Sequence, residues 1–501
     1  MKKNPKGFLE LQEEFYKNID EKHLSKNFCN YVWNVLVSTS KGYGFNASHT
    51  LAYSLVGLQE MNLAYKYPII YWNTACLITD SGGADSDEDN SKNNNYDKIA
   101  IAIGKMTSAG IAIQLPDINK SKYTFTPKED ENQIYFGLRG MLNIGDDLIS
   151  DIINNRPYAS PKDFLERVKP KKQSMISLIK GGAFDSMEDR KFVMAWYIWE
   201  TCDKKSRLTL QNMPGLIKYG LLPEVTPEQI LSRRVYEFNR YLKAICKRSD
   251  GNYRPDERAM NFLIELRQEN LVDQNGILSA KAWDKIVYQK HMDVFRSWLN
   301  EDKERILENL NEKIFKEDWD KYASGNLSSW EMEVLCFYYH EHELKNVNRA
   351  KYGISNFFDL PAEPVIEKTF RKGDKEIHIF KLTRICGTCI AKNKTKGTVT
   401  LLTPEGVVNV LYRKEYFALF DRQISVIQED GTKKIIEKSW FNRGNMIIVH
   451  GMRRGNDFVS KKYASMQNVH QLYRIEGIDE AGNLTLQSER YKGGIEEDVP
   501  D

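Results

Sequence analysis

A glycine-containing turn near the N-terminus leads directly into a long helical pattern that carries a histidine in its first turn. A glycine-punctuated turn, Gly42–Phe45, leads through Asn46, Ser48 and His49 into an apolar helical pattern that Pro68 ends. Asn46 or Ser48 can cap this helix, which leaves His49 in its first turn. This placement indicates that the imidazole is positioned for a specific contact. The alternative is a structural histidine, satisfied by a backbone carbonyl.

A second set of residues could hold a nucleic-acid phosphate through backbone amides. Asn143, Ile144 and Gly145 form a tight turn, after which a helical pattern begins with Asp146 and Asp147. This is the form of a helix-hairpin-helix, whose turn needs residues that tolerate positive φ and whose freed amides can bind a phosphate without reading bases. Asn143 stands where glycine is usual, which the tolerance of asparagine for the left-handed region allows. The two aspartates place negative charge where the phosphate would lie, so a purely structural turn is the alternative.

Local positive charge follows this hairpin. Residues Ile179–Phe184 resemble a degenerate second hairpin of the pair. The basic residues predicted to contact DNA around the two hairpins are Lys169, Lys171, Lys172 and Lys180. Backbone contacts of this kind position a protein on DNA with little sequence preference.

The last part of the chain changes from a helical period to the alternating period of strands. Predicted strands are Ile377–Ile385, Thr398–Thr403, Val407–Tyr412, Met446–Met452 and Asp457–Lys462, with a short helix at Lys414–Phe420. Five strands with an interposed helix indicate a small closed barrel of the OB type. Its basic and aromatic residues suit single-stranded nucleic acid. Those predicted to contact it are Lys392, Lys394, Lys396, Tyr412, Arg413, Arg453 and Arg454. A partner-binding or structural barrel is the alternative.

Four stretches of the sequence match one known family in the family's own order. They are GYGFNASHTLAYSLVGLQEMNLAYKYPIIYWNTACL from Gly42, GIAIQLPDINKS from Gly110, IYFGLRGMLNIGDDLISDIINNRPYASPKDFLERV from Ile134, and LIKGGAFDSM from Leu178. These stretches resemble the bacterial-type DNA polymerase III alpha subunit, a C-family replicative DNA polymerase. The resemblance is good over residues 1–190, weaker at 329–360, and at the level of the fold alone in the C-terminal barrel.

The resemblance implies a nucleotide-binding role for the first stretch, which looks like part of the fingers. Residues after the GYGFN turn face the incoming nucleotide in that family, where basic side chains offset triphosphate charge. Family members usually carry a lysine where this chain has Ala47. Lys41 is close enough in sequence to substitute for it. The predicted nucleotide-binding residues are therefore Lys41, Asn46, Ser48 and His49.

The residues needed for two-metal phosphoryl transfer are missing from the recognisable motifs. Polymerases hold two divalent ions about 4 Å apart with paired aspartates, and the resemblance implies that these belong to a palm domain encoded N-terminal to the matched region. We therefore expect no catalytic residue in this chain and Mg²⁺ to be held by a palm outside it. Asp85–Asp89 fails as a calcium loop because Asn90 and Tyr96 occupy positions that require glycine and glutamate.

Other candidate metal ligands are also poor. Cys386 and Cys389 form a lone CxxC within a predicted strand and are expected to be core thiols. His340 and His342 lie on a predicted helix, where residues two apart point in different directions.

Bulk properties limit the class of protein. The 501 residues carry 72 basic and 69 acidic side chains, a net charge of +3, so any basic surface must be local. Seven scattered cysteines predict reduced thiols, and the N-terminus lacks an apolar signal core. We expect a cytoplasmic protein without a membrane partner.

The predicted architecture is multidomain, mainly α in its N-terminal two-thirds and all-β in a C-terminal OB-fold barrel. The predicted segments are helical fingers at 1–80, a polar loop at 81–95, further fingers at 96–133, a helix-hairpin-helix region at 134–190, a charged helical region at 191–328, a connector at 329–370, the barrel at 371–490 and an acidic tail at 491–501.

The predicted function is that of the C-terminal portion of a replicative DNA polymerase, inactive alone because the palm aspartates are absent. Its predicted partners are primer-template and single-stranded template DNA, deoxynucleoside triphosphates, a palm-containing polypeptide and a candidate sliding clamp. The alternative is a non-catalytic DNA-binding accessory protein that reuses the hairpin and OB modules.

Overall fold

The computed structural model describes residues 5–37, 47–80, 96–108, 110–222, 224–373, 375–427, 433–466 and 469–491. Lys41, Asn46, the predicted polar loop at 81–95 and most of the predicted acidic tail at 491–501 therefore lie outside the described residues, and so does the predicted calcium-type sequence Asp85–Asp89.

The N-terminal part of the chain is helical, as its apolar spacing predicts. Its helices are α1 (Pro5–Glu21), α2 (Lys26–Tyr31), α3 (Ala47–Lys66), α4 (Ile69–Asp80) and α5 (Tyr96–Ser108), and a π-helical stretch follows α2 at Val32–Val37. Helix α3 ends before Pro68, which cannot continue it. Ile70 and Leu77 on α4 are fully buried in the main core, where they are joined by Ile99 and Ile103 of α5.

The next part is a small sheet followed by short helices. Strand β3 (Gln133–Tyr135) lies between β1 (Ala112–Gln114), which is parallel to it, and β2 (Thr126–Lys128), which is antiparallel. The helices that follow are α6 (Asp146–Asn154), α7 (Pro161–Val168), α8 (Lys172–Lys180) and α9 (Arg190–Thr201). Helix α7 begins where the Ser160 side chain accepts a hydrogen bond from the Asp163 amide, with proline at its first position.

The charged region that follows is largely helical and contains two cores of its own. Its helices are α10 (Met213–Lys218), α11 (Pro227–Ala244), α12 (Glu257–Glu265), α13 (Ala280–Trp283), α14 (Gln289–Glu301), α15 (Lys303–Tyr322), α16 (Leu327–Leu335) and α17 (Arg349–Tyr352). Thr226 and Gln229 form a capping box at the start of α11. Phe295 and Leu310 lie in one of the cores, and Trp283 in the other.

The C-terminal part is a β-barrel. Its strands are β4 (Ile366–Lys372), β5 (Lys375–Phe380), β6 (Thr383–Asn393), β7 (Thr398–Thr403), β8 (Gly406–Leu411), β9 (Ile424–Ile427), β10 (Lys433–Glu437), β11 (Met446–Arg454), β12 (Asp457–Ser460), β13 (Leu472–Ile478) and β14 (Leu484–Gln487), and helix α18 (Lys414–Asp421) follows β8.

Five of these strands close on themselves in the order β6, β7, β8, β12, β11 and back to β6. The β8–β12 pair is parallel, whereas the other four are antiparallel. Helix α18 lies between the third and fourth barrel strands in sequence. This order and this helix position define a five-stranded Greek-key barrel of the OB type, which confirms the predicted fold class. Strands β13 and β14 extend the sheet beside β11, and the pairs β4–β5 and β9–β10 form separate hairpins.

Two local predictions were wrong. The predicted first barrel strand, Ile377–Ile385, is two strands, because β5 ends at Phe380 and β6 begins at Thr383. The predicted helix around His340 is irregular, because α16 ends at Leu335 and Cys336 adopts a left-handed φ of 66°. A residue in that conformation ends a helix.

Candidate nucleic-acid and nucleotide interface

The first turn of α3 carries the two described residues of the predicted nucleotide site. Ser48 is exposed, and the His49 ring lies with its centroid 4.5 Å from that of Tyr53, on the same face of the helix. His49, Thr50, Tyr53 and Ser54 line an open depression of about 400 Å³. The structure thus places an imidazole and a phenol side by side at the start of a helix, where the helix dipole favours an anion.

The predicted hairpin turn has the backbone conformation that its sequence requires. Asn143 has a φ of 64°, in the left-handed region. Its side-chain amide donates to the Ser177 hydroxyl at 3.1 Å, and its carbonyl accepts from the Ser174 hydroxyl at 2.8 Å. Ile144 is buried in the core below, with 7% of its surface exposed. Helix α8 therefore holds the turn rigidly, while Gly145 faces solvent.

The helix after this turn begins without a side-chain cap. Its N-cap residue is Gly145, which has no side chain, so no side chain at the N-cap accepts a hydrogen bond from the first-turn amides. The carboxylate of Asp146 lies 4.0 Å from the Arg139 guanidinium, and the neighbouring Asp147 is exposed. Burial, together with a hydrogen bond to Asp146, raises the pKa of Tyr123. Arg139 and Tyr123 thus offset part of the acidic charge at this helix end. Arg139 was not among the predicted site residues, although it stands four residues before Asn143.

The second predicted hairpin is built differently. The Lys180 ammonium is buried, and its Nζ lies 2.5 Å from a Glu333 carboxylate oxygen. Helix α9 is capped by the side chain of Asp189, which accepts from the Phe192 amide. Because Lys180 is buried and paired and the Asp189 side chain occupies the start of α9, Lys180 is a structural residue in this conformation.

An ion-pair network ties this second hairpin to α16. Arg190 on α9 donates to Glu331 at 2.9 Å, and Glu331 is fully buried. The same carboxylate accepts from the backbone amides of Tyr339 and His340 and contacts the His340 ring at 2.6 Å. Burial opposes the charge on Arg190, but Asp185 and Glu331 raise its pKa above the usual value. Such a network fixes the segment after α16 against the hairpin region.

The other predicted hairpin lysines differ in their surroundings. Lys169 and Lys171 are exposed between α7 and α8. The Lys172 ammonium is half-buried, pairs with Asp318 at 2.7 Å and lies 4.7 Å from the centre of the Tyr322 ring. Lys169 and Lys171 are the two that can reach a nucleic acid without breaking an ion pair.

The barrel residues also separate into structural and accessible groups. Tyr412 is buried in the barrel core, with its ring 5.0 Å from that of Phe441, and cannot offer a face to a base. The Lys392 ammonium pairs with Asp421 at 2.6 Å and contacts Ser439. The Arg453 guanidinium donates to three carbonyls of residues 357–360. These three predicted contacts are therefore internal supports of the barrel.

The accessible basic residues lie at the turns of the barrel. Lys394 and Lys396 are exposed on the β6–β7 turn. The Tyr412 amide donates to the Gly397 carbonyl of this turn, which places the exposed Arg413 beside it. Lys394 stays 75% exposed although its Nζ is 3.4 Å from Asp421. Arg454 is exposed at the β11–β12 turn. Nucleic acid would meet these side chains first.

The outer face of β7 and β8, through which OB barrels commonly bind oligonucleotides, is partly covered. Leu402 and Val407 on this face pack against α5 and its neighbours. A Cβ added to Gly104 of α5 would lie 2.6 Å from a Val407 methyl carbon, so the helix touches the barrel closely. The face remains exposed around Asn409, towards the end that adjoins the β6–β7 turn. No sequence pattern signals this coverage, because it joins residues about 300 apart.

The candidate metal ligands of the sequence do not assemble. Cys386 and Cys389 are buried core thiols, and burial raises the pKa of Cys386 to about 12 and that of Cys389 further. His342 bonds to the Leu402 carbonyl at 3.0 Å. In the parts of the chain that the structure describes, no three His, Cys, Asp or Glu side chains group as metal ligands. The residues described here therefore do not fit a divalent-metal site.

The segment Gln211–Leu216 packs its apolar side chains inward. Its apolar members Met213 and Leu216 are fully buried. Separately, none of the described helices is long and apolar enough to cross a bilayer.

A hairpin turn at Asn143–Gly145, followed further along the chain by an OB-type barrel, defines a protein with a helical hairpin region and a C-terminal barrel. Comparison with known families agrees, since the family described as "Helix-hairpin-helix motif" matches residues 110–193. The chain is 40% identical over 506 aligned positions to "Probable DNA polymerase YorL" of Bacillus subtilis (strain 168) and to "DNA-directed DNA polymerase" of Bacillus phage SPbeta. Each alignment covers 98% of this chain and 38% of the relative.

A third relative is more distant and shorter in its match. The chain is 34% identical over 197 residues to "DNA polymerase III subunit alpha" of Borreliella burgdorferi, which covers 38% of this chain and 16% of that protein. These relatives confirm the predicted resemblance to the C-family of DNA polymerases, the family of the DNA polymerase III alpha subunit. The two Bacillus relatives match almost the whole of this chain. The chain itself spans less than two-fifths of the length of those relatives.

Proposed function

We propose that this chain is the C-terminal portion of a replicative DNA polymerase and contributes its incoming-nucleotide and DNA binding. The reaction is template-directed addition of deoxynucleotides to a DNA 3′ end. The observation that carries the proposal is the 40% identity to proteins named DNA polymerases across 98% of the chain. An alignment that covers almost the whole chain supports a role as part of a polymerase over a role as one borrowed module.

Chemistry in this proposal is shared between this chain and a palm-containing polypeptide. Divalent ions, which we expect to be Mg²⁺, neutralise developing charge on the transferred phosphoryl group when they are bound in a polymerase. The described residues do not form such a site. We therefore assign no bond-making step to this chain and place the metal-binding aspartates in the palm.

The nucleotide side of the proposal rests on the start of α3. His49 donates a hydrogen bond to a triphosphate oxygen, and Tyr53 beside it keeps the imidazole on that face. Lys41 supplies the positive charge that Ala47 does not. Asn46 and Ser48, the latter in the first turn of α3, complete the proposed nucleotide site.

The DNA side rests on one hairpin and the turns of the barrel. The amides after Asn143 and Gly145 hold a backbone phosphate of the primer-template, with Lys169 and Lys171 nearby in sequence. The single-stranded template meets the barrel at the exposed basic residues Lys394, Lys396, Arg413 and Arg454. Contacts of this kind give affinity without sequence preference.

The second candidate is a non-catalytic DNA-binding accessory protein. The structural features that favour it are the same hairpin and barrel, which could act without a polymerase. Its discriminating property is independence from a palm-containing polypeptide. A sliding clamp remains a candidate partner for both.

Affinity purification of the tagged chain from its own cells, after nuclease treatment to remove bridging DNA, tests the proposal. Mass spectrometry should recover a polypeptide that aligns with the part of the relatives outside this chain and carries paired aspartates. Recovery of the chain without such a polypeptide, while DNA binding is intact, would favour the accessory protein.

A further inference from the structure

Helix α3 is almost uncharged and exposed on every side. It has 20 residues, of which Glu60 and Lys66 alone carry a charge. Large apolar side chains around its circumference are between half and almost fully exposed, and they are Leu51, Tyr53, Leu55, Val56, Leu58, Met61, Leu63 and Tyr65. A soluble surface helix normally shows one apolar stripe, whereas a helix that is apolar all round is normally buried. The exposure of α3 therefore calls for a partner on more than one side.

The following helix holds the base of α3 in place. Helix α4 buries Ile70 and Leu77 in the main core, and Tyr71 donates to Glu129 at 2.8 Å. The Tyr67 and Tyr71 rings meet across the junction with centroids 6.2 Å apart. The exposed apolar helix is thus joined to a well-packed base, as expected of a preformed docking element.

The size of this surface matches a specific interface. A 20-residue helix is about 30 Å long and 10–12 Å wide, so its lateral surface is on the order of 1,000 Å². A standard protein interface takes about 800 Å² from each partner. Exposed apolar patches larger than a few hundred Å² mark interaction sites.

We propose that α3 inserts into an apolar groove of the palm-bearing part of the polymerase. This inference rests on the proposed function. The occupant is the partner named in the proposed function, and there is ample chain to form it, because the alignment leaves 62% of the relatives' length outside this chain. The binding mode is that of a helix in a groove, in which side chains at helical spacing anchor the helix. Leu58 and Met61, one turn apart, are two such anchors.

The docked part of α3 is its middle and C-terminal part. His49 and Tyr53, at the N-terminal end, face the depression assigned to the nucleotide. Leu58 and Met61, which are 63% and 71% exposed, lie one to three turns further along the helix. Docking these residues on the palm part would set the distance between the nucleotide site and the metal-binding aspartates.

The test is a pair of charge insertions in the full chain. Leu58→Asp and Met61→Asp, combined, should weaken binding to the co-purified palm-bearing polypeptide by roughly 100-fold or more, because two large apolar side chains lose their burial. Ile427→Asp, at a 74% exposed isoleucine of β9, is the matched control and should bind like the wild type. Circular dichroism and DNA affinity of all three proteins should agree, since neither site lies in the main core or the hairpin.

Each outcome has a distinct meaning. Wild-type affinity of the double variant would overturn the docking proposal while the proposed function stands. Failure of the wild-type chain itself to bind any palm-bearing polypeptide would instead remove the proposed function, and the docking proposal with it. Sedimentation analysis of the free chain tests the alternative that a second copy of this chain covers α3. A dimer that the double variant abolishes would support that alternative and overturn the proposal.

Discussion

His49 is the residue on which the nucleotide half of the account depends. If His49 and Lys41 hold the incoming triphosphate, then His49→Ala and Lys41→Ala should each lower kcat/KM for nucleotide about 10- to 150-fold in the reconstituted polymerase. This range corresponds to the loss of one charge-assisted phosphate contact, which contributes roughly 1.5–3 kcal/mol. Steady-state nucleotide titrations measure it.

Primer-template affinity serves as the internal control for both variants, since the hairpin and barrel lie elsewhere. His23→Ala, at an exposed histidine after α1, is the matched substitution and should leave nucleotide kinetics unchanged. If His49→Ala reduced thermal stability and DNA binding as much as nucleotide use, His49 would be a structural residue.

His342 makes a second prediction at this scale, on stability. Its ring is held neutral because Nε2–H donates to the Leu402 carbonyl and Nδ1 accepts from the Leu344 amide. Burial lowers its pKa from 6.5 to about 4. The unfolded chain therefore binds a proton at His342 more readily than the folded chain does. The free energy of unfolding is unaffected by this difference above pH 6.5 and decreases as pH falls from 6.5 towards 4. The loss is at most about 3 kcal/mol.

Urea unfolding at pH 7.5 and 4.5 checks this expectation. His342→Gln, which keeps a donor towards Leu402, should lose less stability between the two pH values than the wild type. The titration of the nearby Glu343, whose pKa burial raises, is common to both proteins and cancels in the comparison. Equal losses in the two proteins would show that His342 is not the titrating group.

Among the structural elements, the hairpin makes the sharpest prediction about DNA. Asp147 is exposed in the first turn of α6, where the phosphate is proposed to bind. Removing its charge by Asp147→Asn should tighten DNA binding by a factor of roughly 2–5, equivalent to about 0.3–1 kcal/mol. Asp151→Asn, one turn further along the same helix, should have little effect. Fluorescence anisotropy with a labelled duplex measures both, and equal effects of the two substitutions would argue against a phosphate at this helix end.

Elements with a clear local period could be predicted from the sequence. Thr398–Thr403 is a strand with the predicted bounds, and the predicted helix Lys414–Phe420 is one residue longer in the structure. The split between β5 and β6 was missed because apolar alternation continues through Lys381 and Leu382, where the chain leaves one hairpin and enters the barrel. The end of the helix before His340 was missed because the left-handed Cys336 is buried by residues distant in sequence, and no local turn residue signals it.

The candidate site could be predicted only in part. The Asn143 turn follows from the tolerance of asparagine for positive φ, which is a local property. Lys180 pairs with Glu333, and Lys392 pairs with Asp421. Both ion pairs join segments that are distant in sequence, so the sequence does not show that these lysines are held inside the protein. Tyr412 was likewise indistinguishable from an exposed stacking residue.

For the molecule as a whole, contact between α5 and the barrel limits the surface that is open to the proposed nucleic-acid binding. This helix covers part of the β7–β8 face and leaves the basic turns open. Contacts by the hairpin and these turns to about four to eight phosphates predict a slope of log affinity against log salt between about −3 and −7, depending on strandedness. A slope near zero, or strong discrimination between unrelated sequences of equal length, would contradict a backbone-binding surface.

Primer extension with purified components is the measurement that tests the central claim most directly. A primed template, Mg²⁺ and deoxynucleoside triphosphates are incubated with the chain alone, with the palm-bearing polypeptide alone, and with both. The account predicts no incorporation by the chain alone, because no described residues form the two-metal site, and template-directed extension when both polypeptides are present. Robust incorporation by the rigorously purified chain alone would contradict the division of labour proposed here, and extension by the palm-bearing polypeptide that is unchanged by this chain would contradict its role in the polymerase.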